Sequence, residues 1–210
     1  FSNLNLNFID AFFESTSGIT TTGSTIIANL EQVSYGILLW RALLQWLGGI
    51  GIIVMAIAIL PMLSIGGMQL FKTESYETPD KIIPRAAIFA SGISIVYIIL
   101  TSIWAFMLWL AGMPIFDSIT HAMTTLATGG YSTKSESLGA FNSVNIEMII
   151  VFGMIIGSLP FIHYLSILKN GWKNLINDQQ VKWFFLILFF IISIVTFNLY
   201  VNGQNFFSSL

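Results

Sequence analysis

The sequence predicts an all-α membrane protein in which long apolar helices alternate with half-length ones. Three observations carry that expectation. Of 210 residues, 55% are hydrophobic and only 9% are charged, against about a quarter charged in soluble domains. Several apolar stretches reach the roughly 20 residues that a helix needs to cross a bilayer core. Two others stop at about half that length and end in runs of small polar residues. The apolar excess must face something other than water, and a lipid bilayer is the partner it fits. A net charge of −2 argues against nucleic acid, whose phosphates demand a basic excess. The chain contains no cysteine, which removes disulfides, thiolate metal sites and thiol catalysis. It opens on Phe1 with no basic leader and cleavage site behind it, and reads as an internal segment of a longer protein.

Segment 8–19 is apolar but extends only about 18 Å at the α-helical rise, half a membrane. It ends in Thr20-Thr21-Thr22-Gly23-Ser24. Segment 35–63 is long enough to cross and carries Gly48, Gly49 and Gly51 near its middle. Segment 86–111 also crosses. Segment 116–126 is short again and runs into Ala127-Thr128-Gly129-Gly130. Segment 145–168 is apolar but interrupted by Gly153, Gly157, Ser158 and Pro160. Proline lacks a backbone donor and opposes the preceding turn, so a kink or unwound stretch is expected there. Segment 183–200, almost entirely Phe, Ile and Leu, is the last that crosses. Irregular backbone at membrane depth persists only where protein or a water-filled pathway surrounds it. Each half-helix with its polar return therefore reads as a re-entrant pore loop.

Lysine and arginine set the orientation. Connection 64–85 holds Lys72, Lys81 and Arg85, and connection 169–182 holds Lys169, Lys173 and Lys182. The connections on the other side, around 28–34 and 131–144, offer only Lys134. The two basic loops are expected in the cytoplasm, and both half-helices then enter from the outer face.

A repeat underlies this order. Phe8-Ile9-Asp10 precedes a half-helix that ends at Thr22-Gly23, and Ile115-Phe116-Asp117 precedes one that ends at Thr128-Gly129, with one residue fewer between. Each is followed by an outer loop, a glycine-interrupted apolar segment and a basic loop. The unit is helix, pore loop, helix. Residues 1–63 hold the pore loop and second helix of one unit, 86–168 a complete unit, and 183–210 the first helix of another; 64–85 and 169–182 are cytoplasmic connections.

A cation crossing a membrane must exchange its water for protein oxygens, and rows of backbone carbonyls supply them. Glycine tolerates the backbone angles that aim successive carbonyls at one axis. Threonine adds a hydroxyl, and the C-terminal end of a half-helix adds partial negative charge. Thr21, Thr22, Gly23 and Ser24, with Ala127, Thr128, Gly129 and Gly130, are the candidate cation-binding residues. A single Thr-Gly run is more often an ordinary turn. Two such runs, each behind a half-length helix in a repeated unit, favour the filter.

The run Asp10-Ala11-Phe12-Phe13-Glu14-Ser15 through Thr20 to Thr25 resembles a pore loop of TrkH-type potassium transporters. So do Leu38-Leu39-Trp40-Arg41-Ala42-Leu43-Leu44-Gln45-Trp46-Leu47-Gly48-Gly49, Leu60-Pro61-Met62 and Gly66-Gly67-Met68-Gln69-Leu70-Phe71. His121-Ala122 with the run from Ala127 to Thr133 resembles the next pore loop. The likeness covers nearly the whole chain. It implies a potassium-channel-like subunit of four helix–pore loop–helix units around one pore, of which this chain resembles the end of the second, all of the third and the start of the fourth. It implies potassium as the transported ion, no other cofactor, a homodimer in the cytoplasmic membrane, and a cytoplasmic nucleotide-binding regulatory subunit of the TrkA/KtrA kind. Glycine at the filter position, here Gly23 and Gly129, goes with potassium preference in this family, and serine in one unit with sodium passage in some plant relatives. An intramembrane gate loop maps onto Gly153, Gly157, Ser158 and Pro160.

Arg41, at the outer start of a crossing segment, fits either a brace at the pore mouth or a side chain snorkelling to the interface. Glu14 suits a hydrogen bond to a filter backbone, while Asp10 and Asp117 suit helix caps. Glu147 reads as interfacial. His121 and His163 lie in separate elements without metal-ligand spacing, and read as core or interface residues. Ser17, Ser24 and Ser158 lack a partnered base, which leaves a hydrolase without support. The alternative to a pore is an ion-coupled secondary transporter with a midplane site at discontinuous helices. Half-helices entering from one face favour the pore, and opposed hairpins the transporter. An intramembrane enzyme would need a buried acid–base pair, and none is evident.

Overall fold

The computed structural model describes residues 6–63, 82–171 and 173–201. All regular structure among the described residues is helical. Half-helix α1 covers Phe8–Ile19 and crossing helix α2 covers Tyr35–Leu63. Helix α3 covers Ile82–Leu110, half-helix α4 Ile115–Leu126 and helix α5 Val144–Ser158. Helix α6 (Phe161–Asn170), the short α7 (Lys173–Asn177) and α8 (Gln179–Val201) complete the order. Single 3-10 turns at Leu30–Gln32 and Ser137–Phe141 lie in the two returns. Three stretches are long and apolar enough to cross a membrane: Tyr35–Ile52, Ala90–Leu110 and Gln179–Leu199.

The half-helices start differently. Asn7, not Asp10, caps α1, its Oδ1 accepting from the Asp10 amide at 2.8 Å. Pro114 stands at the cap position of α4. Asp117 lies one turn inside and accepts from the Thr133 hydroxyl at 2.7 Å. Neither aspartate is therefore a cap: Asn7 and Pro114 hold those positions, each three residues before the aspartate. Two connections also shorten. Residues 82–85 belong to α3, and 169–182 is largely taken up by the end of α6, α7 and the start of α8. The remainder of the first basic connection, 64–81, lies outside the described residues.

The chain divides into one compact unit ending at Phe161 and a second from Ile162 onward. In the first, α4 is packed by α2, α3 and α5. The long helices are held by indole and phenol groups that each find a partner, as buried polar tips must. Trp46 Nε1 donates to Thr101 Oγ1 at 3.0 Å, and Tyr97 Oη donates to the Trp46 carbonyl at 3.2 Å, joining α2 to α3. Trp104 Nε1 donates to the Ile149 carbonyl at 2.9 Å, joining α3 to α5. Glycines set how closely helices approach. A methyl at Gly48 would collide with the Ile19 carbonyl, and one at Gly157 would stand 2.9 Å from the Leu126 carbonyl. In the second unit, His163 Nε2 lies 3.6 Å from Asp178 Oδ2.

Helix α5 does not unwind at Gly153, Gly157 or Ser158. It stays helical through Ser158, whose hydroxyl donates to the Met154 carbonyl at 2.7 Å. Only Leu159, extended at φ −78 and ψ 145, and Pro160 interrupt the helix before α6. Gly153 and Gly157 are packing residues within α5. A methyl at Gly153 would strike the Trp104 indole. The proline ring ends the helix by clashing with the carbonyl four residues back, and the glycines need not break it.

Candidate functional site: two polar returns behind half-length helices

Helix α1 ends in a paired closing motif: the Thr21 amide donates to the Gly18 carbonyl and the Thr22 amide to the Ser17 carbonyl, both at 3.0 Å. Helix α4 closes the same way, Thr128 to Thr125 at 3.0 Å and Gly129 to Thr124 at 2.8 Å. Such an ending puts its first non-helical residue in the left-handed region, where glycine is usual. Here that residue is threonine twice, at φ 54 for Thr21 and φ 52 for Thr128. A β-branched residue at positive φ is an outlier, and such outliers concentrate at functional sites. Two residues on, Gly23 and Gly130 both have φ 81. The two returns follow one backbone path.

That path corrects the register of the repeat. Asp10 and Asp117, Thr21 and Thr128, and Gly23 and Gly130 are each 107 positions apart, with no residue lost between. The structural counterpart of Gly23 is Gly130, not Gly129. The sequence offers adjacent glycines at 129 and 130, and only backbone angles distinguish them. Their surroundings differ too. A methyl at Gly129 would collide with the Gln45 side chain, whereas Gly130 has open space. At Gly23 a methyl would strike the Gly129 carbonyl, so the returns touch where the half-helices end.

Buried side chains hold both returns. Arg41 and Glu14 form a buried ion pair with Nε to Oε1 at 2.7 Å. Glu14 also accepts from the Thr25 hydroxyl at 2.9 Å and from the Ile26 amide at 3.1 Å. Arg41 reaches the Thr25 hydroxyl at 3.0 Å and the Ser132 carbonyl at 3.3 Å, with its guanidinium 4.0 Å from the Tyr131 ring centre. Only 1% of Arg41 is exposed, so it braces protein and does not snorkel. Tyr131 donates to the Glu14 carbonyl at 2.9 Å, and Ser17 donates to the Ser24 carbonyl at 2.6 Å.

The second of the two repeats places His121 where the first has Glu14. Its Nδ1 lies 2.8 Å from the Asp117 carbonyl and its Nε2 3.1 Å from the Ser132 hydroxyl. A carbonyl only accepts, so Nδ1 carries a proton; in the neutral ring Nε2 then accepts from the Ser132 hydroxyl. Ser132 stands 107 positions after Thr25, so a half-helix side chain grips a hydroxyl in both units. A cavity of about 300 Å³ opens beside the second return, lined among others by His121, Thr128, Gly130, Ser132, Met154 and Ser158. Outside the apolar helices, Glu31 accepts from the Ser135 amide at 2.8 Å and hydroxyl at 2.6 Å. Those hydrogen bonds hold its carboxyl down to about 2, so this clasp between the two return loops is charged throughout the neutral range.

No cluster of His, Cys, Asp and Glu suited to a metal ion occurs among the described residues. Along Thr21 to Ser24 and Thr128 to Tyr131 the two returns carry only neutral oxygens. Sequence reasoning missed Gln45, whose Nε2 donates to the Gly129 carbonyl at 2.8 Å and whose Oε1 accepts from the Tyr131 amide at 3.1 Å. Its signal was present: a buried amide one turn past Arg41 in an apolar helix.

Apolar helices long enough to cross a membrane, with half-length helices ending in strained polar returns, mark an all-helical membrane protein. The sequence model of the TrkH family, described as cation transport protein, matches residues 1–208. The chain belongs to that family, one of transporters and not of enzymes. It is 43% identical over 208 residues to the Trk system potassium uptake protein TrkI of Halomonas elongata, covering 98% of this chain and 42% of that protein. It is 40% identical over 202 residues to the Trk system potassium uptake protein TrkH of Escherichia coli K12, covering 95% of this chain and 42% of that protein. The crystal structure of the potassium transporter TrkH from Vibrio parahaemolyticus superposes with a TM-score of 0.86 at 36% identity, over 99% of this chain and 42% of that one. The chain thus spans less than half the length of these relatives.

Proposed function

We propose that this chain is part of the potassium-conducting subunit of a Trk-type uptake system, and that residues 21–24 and 128–131 are two segments of its selectivity filter. The observation that carries this reading is the shared backbone path of the two returns, with threonine and then glycine at positive φ in each. Strain reproduced in two units is not what an incidental turn requires. The ends of both half-helices meet where Gly23 approaches the Gly129 carbonyl, which suits two loops entering from one face.

In this reading the chain carries the second half of one helix–pore loop–helix unit, a complete unit, and the first helix of a third, within a four-unit subunit. Potassium sheds water against the carbonyls and threonine hydroxyls of the returns. The interruption at Leu159 and Pro160, with Ser158 before it, serves as the gate. The full subunit is a multi-pass protein of the cytoplasmic membrane, works as a homodimer, and pairs with a cytoplasmic nucleotide-binding regulator.

The test is potassium, rubidium and sodium flux through the full-length protein in proteoliposomes, wild type against Gly130→Ser. Serine at φ 81 costs about 1–2 kcal/mol of backbone strain but meets no neighbour. Potassium and rubidium flux without sodium in the wild type, and sodium leakage or lost flux in the variant, supports the filter. Unchanged discrimination in the variant overturns it.

A further inference from the structure

We infer that Gln45 is a positioning residue, gripping the second filter segment from the helix of the preceding unit; the inference rests on the filter reading above. Its side chain is fully buried, and its amide is spent on two backbone groups that flank Gly130. The NH₂ end takes the carbonyl before that glycine, and the oxygen takes the amide after it. Gly130 has no side chain and a positive φ, so its own backbone angles restrain the flanking peptide planes less than those of any other residue would. Two hydrogen bonds to one rigid amide plane supply that restraint. Coordination by carbonyls depends on their number and placing, and a peptide rotated away removes an oxygen from the row.

The grip crosses between units. Arg41 and Gln45 are four residues apart, on one face of α2, and both reach the return of the other unit: Arg41 to the Ser132 carbonyl and Tyr131 ring, Gln45 to 129 and 131. The matching helix of the complete unit lacks the device. Gly48 and Gly157 each lie against the end carbonyl of their own half-helix, and Leu44 and Gly153 each lie against residues Gly18 and Thr125, which also correspond. By that match, Met154 of α5 stands where Gln45 stands in α2. A thioether of similar length cannot donate a hydrogen bond and accepts only weakly. One segment is thus clamped by an amide, and its conformation is tied to a neighbouring unit's helix.

The experiment uses the full-length protein and the Gln45→Met variant, which puts at this site the residue α5 uses. Expected are wild-type expression and size-exclusion behaviour, and a potassium-to-sodium flux ratio lowered about tenfold, the equivalent of one to two net hydrogen bonds. Gln45→Glu keeps an acceptor for the Tyr131 amide but opposes an oxygen to the Gly129 carbonyl, and lowers the ratio at least as far. It also reads the clamp if the methionine variant does not fold. Trp46→Phe, which removes the bond to Thr101 without touching the segment, keeps the ratio. A wild-type ratio in Gln45→Met or Gln45→Glu, alongside a lost one in Gly130→Ser, overturns the clamp and leaves the filter standing. An equal fall in Trp46→Phe assigns the effect to general packing of α2 and also overturns it. Unchanged discrimination in Gly130→Ser removes the filter reading, and the clamp with it.

Discussion

Arg41 and Glu14 show what a buried ion pair must have to be tolerated in an apolar helix bundle. Removing two charges from water costs several kcal/mol for each, and the pair repays this only when the remaining hydrogen-bonding capacity is used. Here Thr25, the Ile26 amide and the Ser132 carbonyl use it. Among the described residues no buried side-chain polar atom is left without a partner. Arg41→Met strands a buried carboxylate and is expected to destabilise the full protein by about 3–5 kcal/mol, read as a lowered unfolding temperature in detergent. The double variant Arg41→Met/Glu14→Gln removes both charges and recovers most of that loss. If the double variant is as unstable as the sum of the singles, the two residues act independently. The charge pattern of α2 marked Arg41 in advance, yet its partner could not be read from sequence, because Glu14 lies 27 positions away on another helix.

At the scale of elements, helix lengths and break points were legible and helix contacts were not. Apolar runs with polar ends delimit α1 and α2 to the residue, since hydrophobic length and local capping are short-range properties. The glycines of α5 were legible as residues but misread as a break. A glycine interrupts a helix only weakly, and in a packed bundle its missing Cβ serves close approach instead. Gly157 rests against the end of α4, where a methyl would stand 2.9 Å from the Leu126 carbonyl. Gly157→Val therefore forces α4 and α5 apart at the base of the second return. The expected cost is about 1–3 kcal/mol from overpacking, checked by the same thermal unfolding. Gly139→Ala, on the outer turn with nothing near its missing Cβ, serves as the unaffected reference.

At the scale of the whole molecule, the helices expose what a soluble protein would bury. Phe185, Leu186, Phe189, Phe190 and Ile191 of α8 are all exposed, as are Ile95, Ile98 and Phe106 of α3. Apolar surface of that extent marks contact with something other than water. The excess of Lys and Arg in connections 64–85 and 169–182 is expected to place those two on the cytoplasmic side. In the full-length protein freed of any cysteines outside this chain, Ser137→Cys on the outer return should react with a membrane-impermeant maleimide added to intact cells. Asn177→Cys should react only after the cells are opened. The reverse pattern would invert the topology and take the proposed filter segments to the wrong face.

The sequence by itself determined the class of the protein, its apolar helices, the half-length elements and the family to which it belongs. Those rest on composition, hydrophobic length and local motifs, all of which act within a few turns of chain. Tertiary structure decided which glycine of the pair 129–130 corresponds to Gly23, that Gly153 and Gly157 pack instead of unwind, and that Gln45 grips a segment 84 positions further on. Each depends on backbone angles or contacts set by distant residues. A glycine reads the same in sequence whether its missing side chain permits a turn, a close approach or nothing at all.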